Sequence, residues 1–332
     1  MPTNKGFVLA SRPQAAAGPE NFRLVEGQLP EPGEGQVLVQ HHYLSLDPYM
    51  RGRMNDSKSY AEPQKIDEIM IGGTVGEIIA SNNPKFSAGD RVVGMGGWQL
   101  YSLTDGQGLT KIPPSPLPLQ AFLGPLGMPG VTAWYGLKKI IAPKPGETIV
   151  VSAATGAVGS VVGQLVKQAG GKAVGIAGGP DKCRLAVDEL GYYLCIDHRA
   201  PDFEDKFKVA LPDGIDGVFE NVGGKPLELS LRRLNTFARI AICGLVASGY
   251  DGTPTPIGDI GALLMTRSKM EGFIISDHLD LWPQAIMELV TLAAAGKLKW
   301  RETIAEGIEA APAAFFGMLR GENVGKQLVK LI

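Results

Sequence analysis

Apolar and polar positions alternate in two textures along the chain. From Gln36 to Ser45 a run rich in Val, Leu and His leads into Asp47-Pro48, the pattern of a strand ending in a turn. Ile71 to Ala80, Arg91 to Met95 and Trp98 to Leu103 are further short strands, separated by Gly, Asn and Pro clusters. This spacing predicts a β-rich, barrel-like domain ending near residue 122. Beyond it, short apolar runs alternate with helical patterns, the signature of βαβ units and a parallel sheet. Six strands are expected: Ile149 to Ser152, Ala173 to Ala177, Leu194 to Asp197, Gly217 to Glu220, Arg239 to Cys243 and Lys269 to Ile274. Between the first two, Val158, Val161, Val162 and Leu165 share one face of a helix, and Ile286, Leu289, Val290 and Ala293 repeat that spacing later. From Lys297 the chain returns to mixed strand and loop character, so the tail is expected to rejoin the first domain. The predicted organisation is α/β: a Rossmann-type domain over 123–299, and a β-rich domain over 1–122 with 300–332.

Composition narrows the classes without changing this outline. A chain of 332 residues calls for two domains rather than one core. Its 32 Lys and Arg nearly balance 34 Asp and Glu, for a net charge of −2, and no charge run recruits nucleic acid or an anionic membrane. Phe7-Val8-Leu9-Ala10 is too short for a signal peptide, and no run approaches the length of a membrane span. These features predict a soluble, cytoplasmic protein. Cys183, Cys195 and Cys243 are odd in number and widely spaced, which argues against a disulfide framework. They read as small buried apolar residues, with no neighbouring His or helix start to activate them.

The chemistry concentrates at Ala153-Ala154-Thr155-Gly156-Ala157-Val158-Gly159-Ser160. A pyrophosphate needs close backbone approach and free N–H groups, and a tight turn from strand to helix supplies both. Gly156 and Gly159 provide the room. The pattern lacks the first glycine of the full fingerprint, but it follows an apolar strand and opens an amphipathic helix, the context the motif requires. The plain alternative is that the two glycines only let the helix approach the strand. The next strand ends in Ala177-Gly178-Gly179-Pro180, without the acid that would bind the adenosine ribose of NAD. Space remains for a 2′-phosphate, which Lys182 can neutralise, while Asp181 beside it can cap the following helix. NADPH is therefore the expected cofactor. No cysteine occurs in the first domain, and the adjacent His41 and His42 point to opposite faces of a strand, so no metal site is expected.

Leu46-Asp47-Pro48-Tyr49-Met50-Arg51, Gly127-Met128-Pro129-Gly130-Val131-Thr132-Ala133, the turn over 153–159, Phe219-Glu220-Asn221-Val222-Gly223-Gly224 and Gly321-Glu322-Asn323-Val324-Gly325-Lys326 occur in one order along nearly the whole chain. Together they resemble the zinc-independent medium-chain reductases of the prostaglandin, alkenal and curcumin reductase group. The resemblance implies a GroES-like catalytic domain joined by the C-terminal tail, and a homodimer formed with a second copy of the chain. It implies that Gly156, Ala157, Val158 and Gly159 hold the pyrophosphate and Lys182 the 2′-phosphate. Asn221, the loop from Cys243 to Tyr250 with Gly244, Leu245 and Ser248, then Phe273, Ile274 and Ile275, and Asn323 would surround the nicotinamide end. Members often carry Tyr where this chain has His198, whose imidazole can stack on adenine or donate to phosphate with a charge that varies with pH.

The activity so implied is hydride transfer from NADPH to the β-carbon of an enone or enal, with protonation at the α-carbon. Tyr49 and Tyr250 are the candidate donors to the enolate oxygen; a ribose hydroxyl, a backbone N–H or water are alternatives. Tyr49 has an equally plain reading as a packing residue beside an Asp47–Arg51 ion pair. An NADPH quinone oxidoreductase, or an NADPH-binding regulatory protein without turnover, would share the cofactor features.

Overall fold

Six short runs between residues 148 and 272 pair side by side, the central ones apolar and buried, because buried strands satisfy their backbone groups only through neighbours. In the computed structural model, which describes residues 3–248 and 256–332, they form an all-parallel sheet. Its order is Leu194–Asp197, Lys172–Ala177, Thr148–Ser152, Ile215–Glu220, Leu234–Ile242 and Lys269–Gly272. The chain divides into two units, one of residues 1–123 with 302–332 and the other of residues 124–301.

In the second unit the helix Gly159–Gln168 buries Val161, Val162 and Leu165 on one face, as their spacing predicts. Trp282–Ala294 likewise buries Leu289 and Ala293. On one side of the sheet Val150, Val174, Ile196, Val218 and Ile240 join Phe203 and Phe207 from the helix Phe203–Ala210 and Leu227 and Leu231 from the helix Gly224–Leu231. The strand order reverses between Thr148–Ser152 and Ile215–Glu220, the point at whose carboxyl ends sheets of this kind bind ligands.

The first unit is β-rich. Val37–Ser45 is its central strand and pairs antiparallel with Thr74–Ser81, Tyr101–Thr104 and Lys326–Lys330. Glu302–Glu306 then adds in parallel to Lys326–Lys330, so the C-terminal tail completes this sheet. A hairpin of Thr3–Leu9 and Phe22–Gln28 lies outside it. Trp98 is fully buried, stacked on Phe22 at 5.1 Å and met edge-on by Phe315 at 5.5 Å, among Leu44, Leu46, Met50 and Met70. Phe315 comes from the helix Ala311–Leu319, an element absent from the sequence-based outline of the tail.

Candidate cofactor and active site

The glycine-rich turn is shaped by one carbonyl. Ala153 adopts a left-handed conformation, with φ at 50°, at the end of the strand Thr148–Ser152. Its carbonyl oxygen then accepts the Gly156 N–H at 2.9 Å. A Cβ on Gly159 would lie 2.3 Å from that oxygen, so no other residue fits without moving backbone. Gly156 is less constrained, its missing Cβ standing 3.2 Å from the same atom. The tyrosine hydroxyl of Tyr192 donates to the Gly159 carbonyl at 2.6 Å and packs its ring where a Gly163 side chain would be. The glycines thus give close packing of helix on strand and a turn free of side chains.

The next strand ends at Ala177, and Gly178 follows beneath two basic side chains. A Cβ on Gly178 would stand 3.0 Å from both His198 Nε2 and Arg199 Nε. Asp197, at the end of Leu194–Asp197, holds this corner, accepting the N–H groups of Gly179 at 2.8 Å and Arg199 at 2.9 Å. Burial acts against its charge, but these two bonds and the charges of His198 and Arg199 bring the carboxyl below its ordinary range. Partial burial and then the Arg199 charge draw the His198 imidazole below its usual value, and the same two causes lower Lys182. The Arg199 charge thus weighs on both His198 and Lys182 beside a glycine floor, an arrangement an anion relieves. Arg199 was not among the expected site residues; its signal was its place beside His198 at a strand end. Asp181 does not cap the helix Pro180–Asp188. Gly179 occupies the cap position, with φ at 99°, while Asp181 lies inside the first turn and bonds Arg184.

At the strand-order reversal a carboxylate organises the neighbouring loop. Glu220 is fully buried, and its Oε1 accepts the Ser152 hydroxyl at 2.5 Å and the N–H groups of Val222 and Gly223 at 2.6 and 2.8 Å. Burial outweighs these bonds and raises the carboxyl above its ordinary value, and Oε2 is buried with no hydrogen-bond partner. The Ser152 hydroxyl accepts the Asn221 N–H, and the Asn221 amide donates to the Ser152 carbonyl, both at 2.8 Å. Asn221 is thereby fixed to the adjoining strand. The amides of Cys243 and Gly244 donate to the Glu220 carbonyl, which places them just past Leu234–Ile242. Burial, then the Glu220 charge, pushes the Cys243 thiol up to about 12. Leu245 accepts from the Ser248 hydroxyl at 2.8 Å in the turn Val246–Ser248. The Phe273 ring packs on Tyr135 and Phe219 over Gly136, and Ile275 begins the turn Ile275–Leu281, with Ile274 preceding it. In this unit the expected cofactor residues follow the carboxyl ends of successive parallel strands, the position in which such sheets bind nucleotides.

In the first unit, Tyr49 opens the helix Tyr49–Arg53, and burial followed by the Asp47 charge raises its phenol well above the ordinary value. It is a neutral donor at any ordinary pH. Asp47 pairs with Lys326 rather than Arg51: the Lys326 ammonium donates to Asp47 Oδ1 at 2.9 Å and to the Leu46 carbonyl at 2.6 Å. Arg51 turns to Asn55 and the Ala15 carbonyl, both at 2.6 Å. Asn323 donates to the Gly325 carbonyl at 2.8 Å. Tyr250 lies outside the described residues. His41 is a core residue on Ser102, its pKa lowered by burial to about 3, and His42 is half-buried. Among the described residues no three His, Cys, Asp or Glu side chains gather to hold a metal. The cysteines are half-buried rather than buried, and Cys183 lies in the first turns of a helix, which its surrounding sequence did not reveal.

Residues 5–112 match the N-terminal domain of oxidoreductase family, and residues 157–291 match the family described as zinc-binding dehydrogenase. The chain is 47% identical to the NADPH-dependent curcumin reductase of Escherichia coli, over 99% of this chain and 97% of that one. The chain belongs to the zinc-independent medium-chain reductases. Within that family it is also 40% identical to the NADP-dependent 2-alkenal reductase of Nicotiana tabacum, over 91% of this chain and 89% of that protein. The crystal structure of CurA from Vibrio vulnificus in complex with NADPH superposes with a TM-score of 0.94, at 46% identity and 99% coverage of each chain. The reductase fold, with its parallel sheet and β-rich N-terminal unit, is therefore shared along the whole chain.

Proposed function

We propose that this chain reduces the carbon–carbon double bond of α,β-unsaturated ketones or aldehydes with NADPH, without zinc. The observation that carries the cofactor choice is the basic corner of His198 and Arg199 over Gly178, with Lys182 within reach of the Arg199 charge, where an NAD-binding strand would end in an acid. The substrate class follows from whole-chain likeness to curcumin, alkenal and prostaglandin reductases. Bound at the strand ends, NADPH supplies a hydride to the β-carbon of the substrate. The turn over Gly156, Ala157, Val158 and Gly159 receives the pyrophosphate on backbone amides. Lys182 and Arg199 neutralise the 2′-phosphate, and the His198 ring donates a hydrogen bond to it. Asn221 and the segments around Cys243, Gly244, Leu245, Ser248, Phe273, Ile274 and Ile275 orient the nicotinamide end, with Asn323 and Tyr250 added by family likeness. Tyr49, whose phenol burial keeps neutral, or Tyr250 donates a hydrogen bond to the developing enolate oxygen.

A cytoplasmic homodimer is the assembly we favour. Lys269–Gly272 is the edge of the parallel sheet, and Ile260, Leu264 and Met265 nearby are 63, 79 and 76% exposed, a patch that a second copy would cover. Among the described residues no helix is long and apolar enough to cross a membrane. The deciding assay follows NADPH oxidation with an alkenal, an aromatic enone and a quinone, and identifies the saturated carbonyl product by mass. Turnover of quinone alone, or tight NADPH binding without turnover, would overturn the assignment.

A further inference from the structure

One tyrosine ring fills two glycine gaps behind the turn over 153–159. After the helix Pro180–Asp188 the chain turns at Gly191, which takes a left-handed φ of 76°, and carries Tyr192 into the interior at 3% exposure. A Cβ on Gly163, on the helix Gly159–Gln168, would lie 2.2 Å from Tyr192 Cε2. One on Gly175, on the strand Lys172–Ala177, would lie 3.0 Å from Tyr192 Cδ1. Held between helix and strand, the ring aims its hydroxyl at the Gly159 carbonyl, about one helical turn before Gly163, and donates to it at 2.6 Å. Burial raises this phenol well above its ordinary value, so it donates at any ordinary pH. The backbone on either side is anchored as well. The Tyr192 N–H donates at 3.1 Å to the carbonyl of Ala186, on the helix that carries Lys182, and the Tyr193 N–H donates to the Ala173 carbonyl at 2.8 Å.

We propose that Tyr192 is a positioning residue for the dinucleotide, its hydroxyl fixing the first peptide of the helix whose start receives the pyrophosphate. A carbonyl oxygen has two lone pairs, so the Gly159 oxygen serves the helix and the phenol together. The turn itself is built of small residues, Gly156, Ala157 and Gly159, with little side chain to hold it in place. Tyr192 supplies that hold from outside the turn, with a ring locked by packing on two elements and a short bond to a third. Its donated bond also draws charge from the Gly159 peptide, which makes the N–H groups at the helix start more positive toward an anion. Tyr192 is buried behind the turn and acts through Gly159, so its effect falls on cofactor binding and not on the hydride step. Gly163 and Gly175 serve the same end, since each leaves the space that the ring needs.

The consequence for affinity rests on the NADPH reading above, whereas the hold on the turn does not, and the experiment separates them. Tyr192→Phe keeps the ring in both glycine gaps, and with it the packing of the fold, and removes only the hydroxyl. Kd for NADPH and for NADH is measured by nicotinamide fluorescence, and kcat at saturating NADPH. The thermal midpoint and amide hydrogen exchange over residues 156–166 are measured without cofactor. Kd should rise about fivefold, the equivalent of one net hydrogen bond, and by the same factor for both cofactors because they share the pyrophosphate. Saturated kcat should be unchanged, and exchange over the turn and helix start should be faster in the variant. An unchanged Kd beside a lowered midpoint would make the hydroxyl a packing bond alone and overturn the proposal. A loss confined to NADPH, or unaltered exchange, would overturn it too. A parent chain that binds neither cofactor would instead overturn the cofactor reading, and the exchange comparison would still decide whether the hydroxyl holds the turn.

Discussion

Replacing Glu220 tests how the strand-order reversal is held. Its Oε1 receives three hydrogen bonds, from Ser152, Val222 and Gly223, in a site with no solvent exposure. Glu220→Ala leaves three buried donors without an acceptor. At roughly 1 kcal/mol for each lost bond, the change costs about 3 kcal/mol. The unit spans residues 124–301. For a unit of that size about 2–4 °C is lost per kcal/mol, so the midpoint should fall by about 6–12 °C. Asn221 depends on the same cluster through Ser152. KM for NADPH should therefore rise in parallel with the fall in midpoint.

Glu220→Gln separates the hydrogen bonds from the charge. An amide oxygen keeps the three contacts, and the amide mimics a protonated carboxyl. Since burial raises the Glu220 pKa in the folded chain, the folded state binds the proton more tightly than the unfolded state, whose value is ~4.3. The wild-type contribution is fully present below that unfolded value and is lost as pH rises through the folded one. Glu220→Gln should therefore compare worst with wild type in acid and improve relative to it as pH increases, read as the difference in thermal midpoint across pH. A gap that widens toward alkaline pH would show that the ionised carboxylate is the stabilising form, and would refute this account.

Arg199→Ala should raise KM for NADPH about tenfold or more, since a hydrogen bond to a charged group contributes ~1.5–3 kcal/mol, and should leave KM for NADH unchanged; equal effects on both cofactors would remove Arg199 from the 2′-phosphate site. Burial and Arg199 hold the His198 pKa below its usual value, so the neutral ring's contribution is present above ~6.5 and lost as pH falls through the lowered value. NADPH affinity should then be flat above neutrality and change only in acid; a step above pH 7 that vanishes in His198→Gln would contradict this. Lys326→Met should destabilise the first unit by about 3–5 kcal/mol, because it strands the buried Asp47 carboxylate, and adding Asp47→Asn should restore part of the loss in chemical denaturation. Gly159→Ala should abolish NADPH binding measured by fluorescence, since its Cβ would meet the Ala153 carbonyl at 2.3 Å.

What could be read in the sequence divides along a physical line. The central parallel strands were legible because they are local apolar runs with buried side chains, the partly exposed edge strands Leu194–Asp197 and Lys269–Gly272 because they alternate with helical patterns, and the turn after Thr148–Ser152 because its glycines and helix are contiguous. The hairpin Thr3–Leu9 with Phe22–Gln28 was not, since its second strand is mostly exposed and carries no clear alternation. At the site, the absent acid at Gly178 was a local fact. Its replacement by His198 and Arg199 was not local, because it depends on the pairing of Leu194–Asp197 with Lys172–Ala177. Glu220 shows the limit most sharply. Phe219-Glu220-Asn221 reads as the polar end of a strand, and only the neighbouring strand brings Ser152, 68 residues earlier, onto its carboxylate. Parallel pairing joins residues whose separation is set by the intervening helices, so local periodicity can locate the strand ends but not which polar groups will face each other across them.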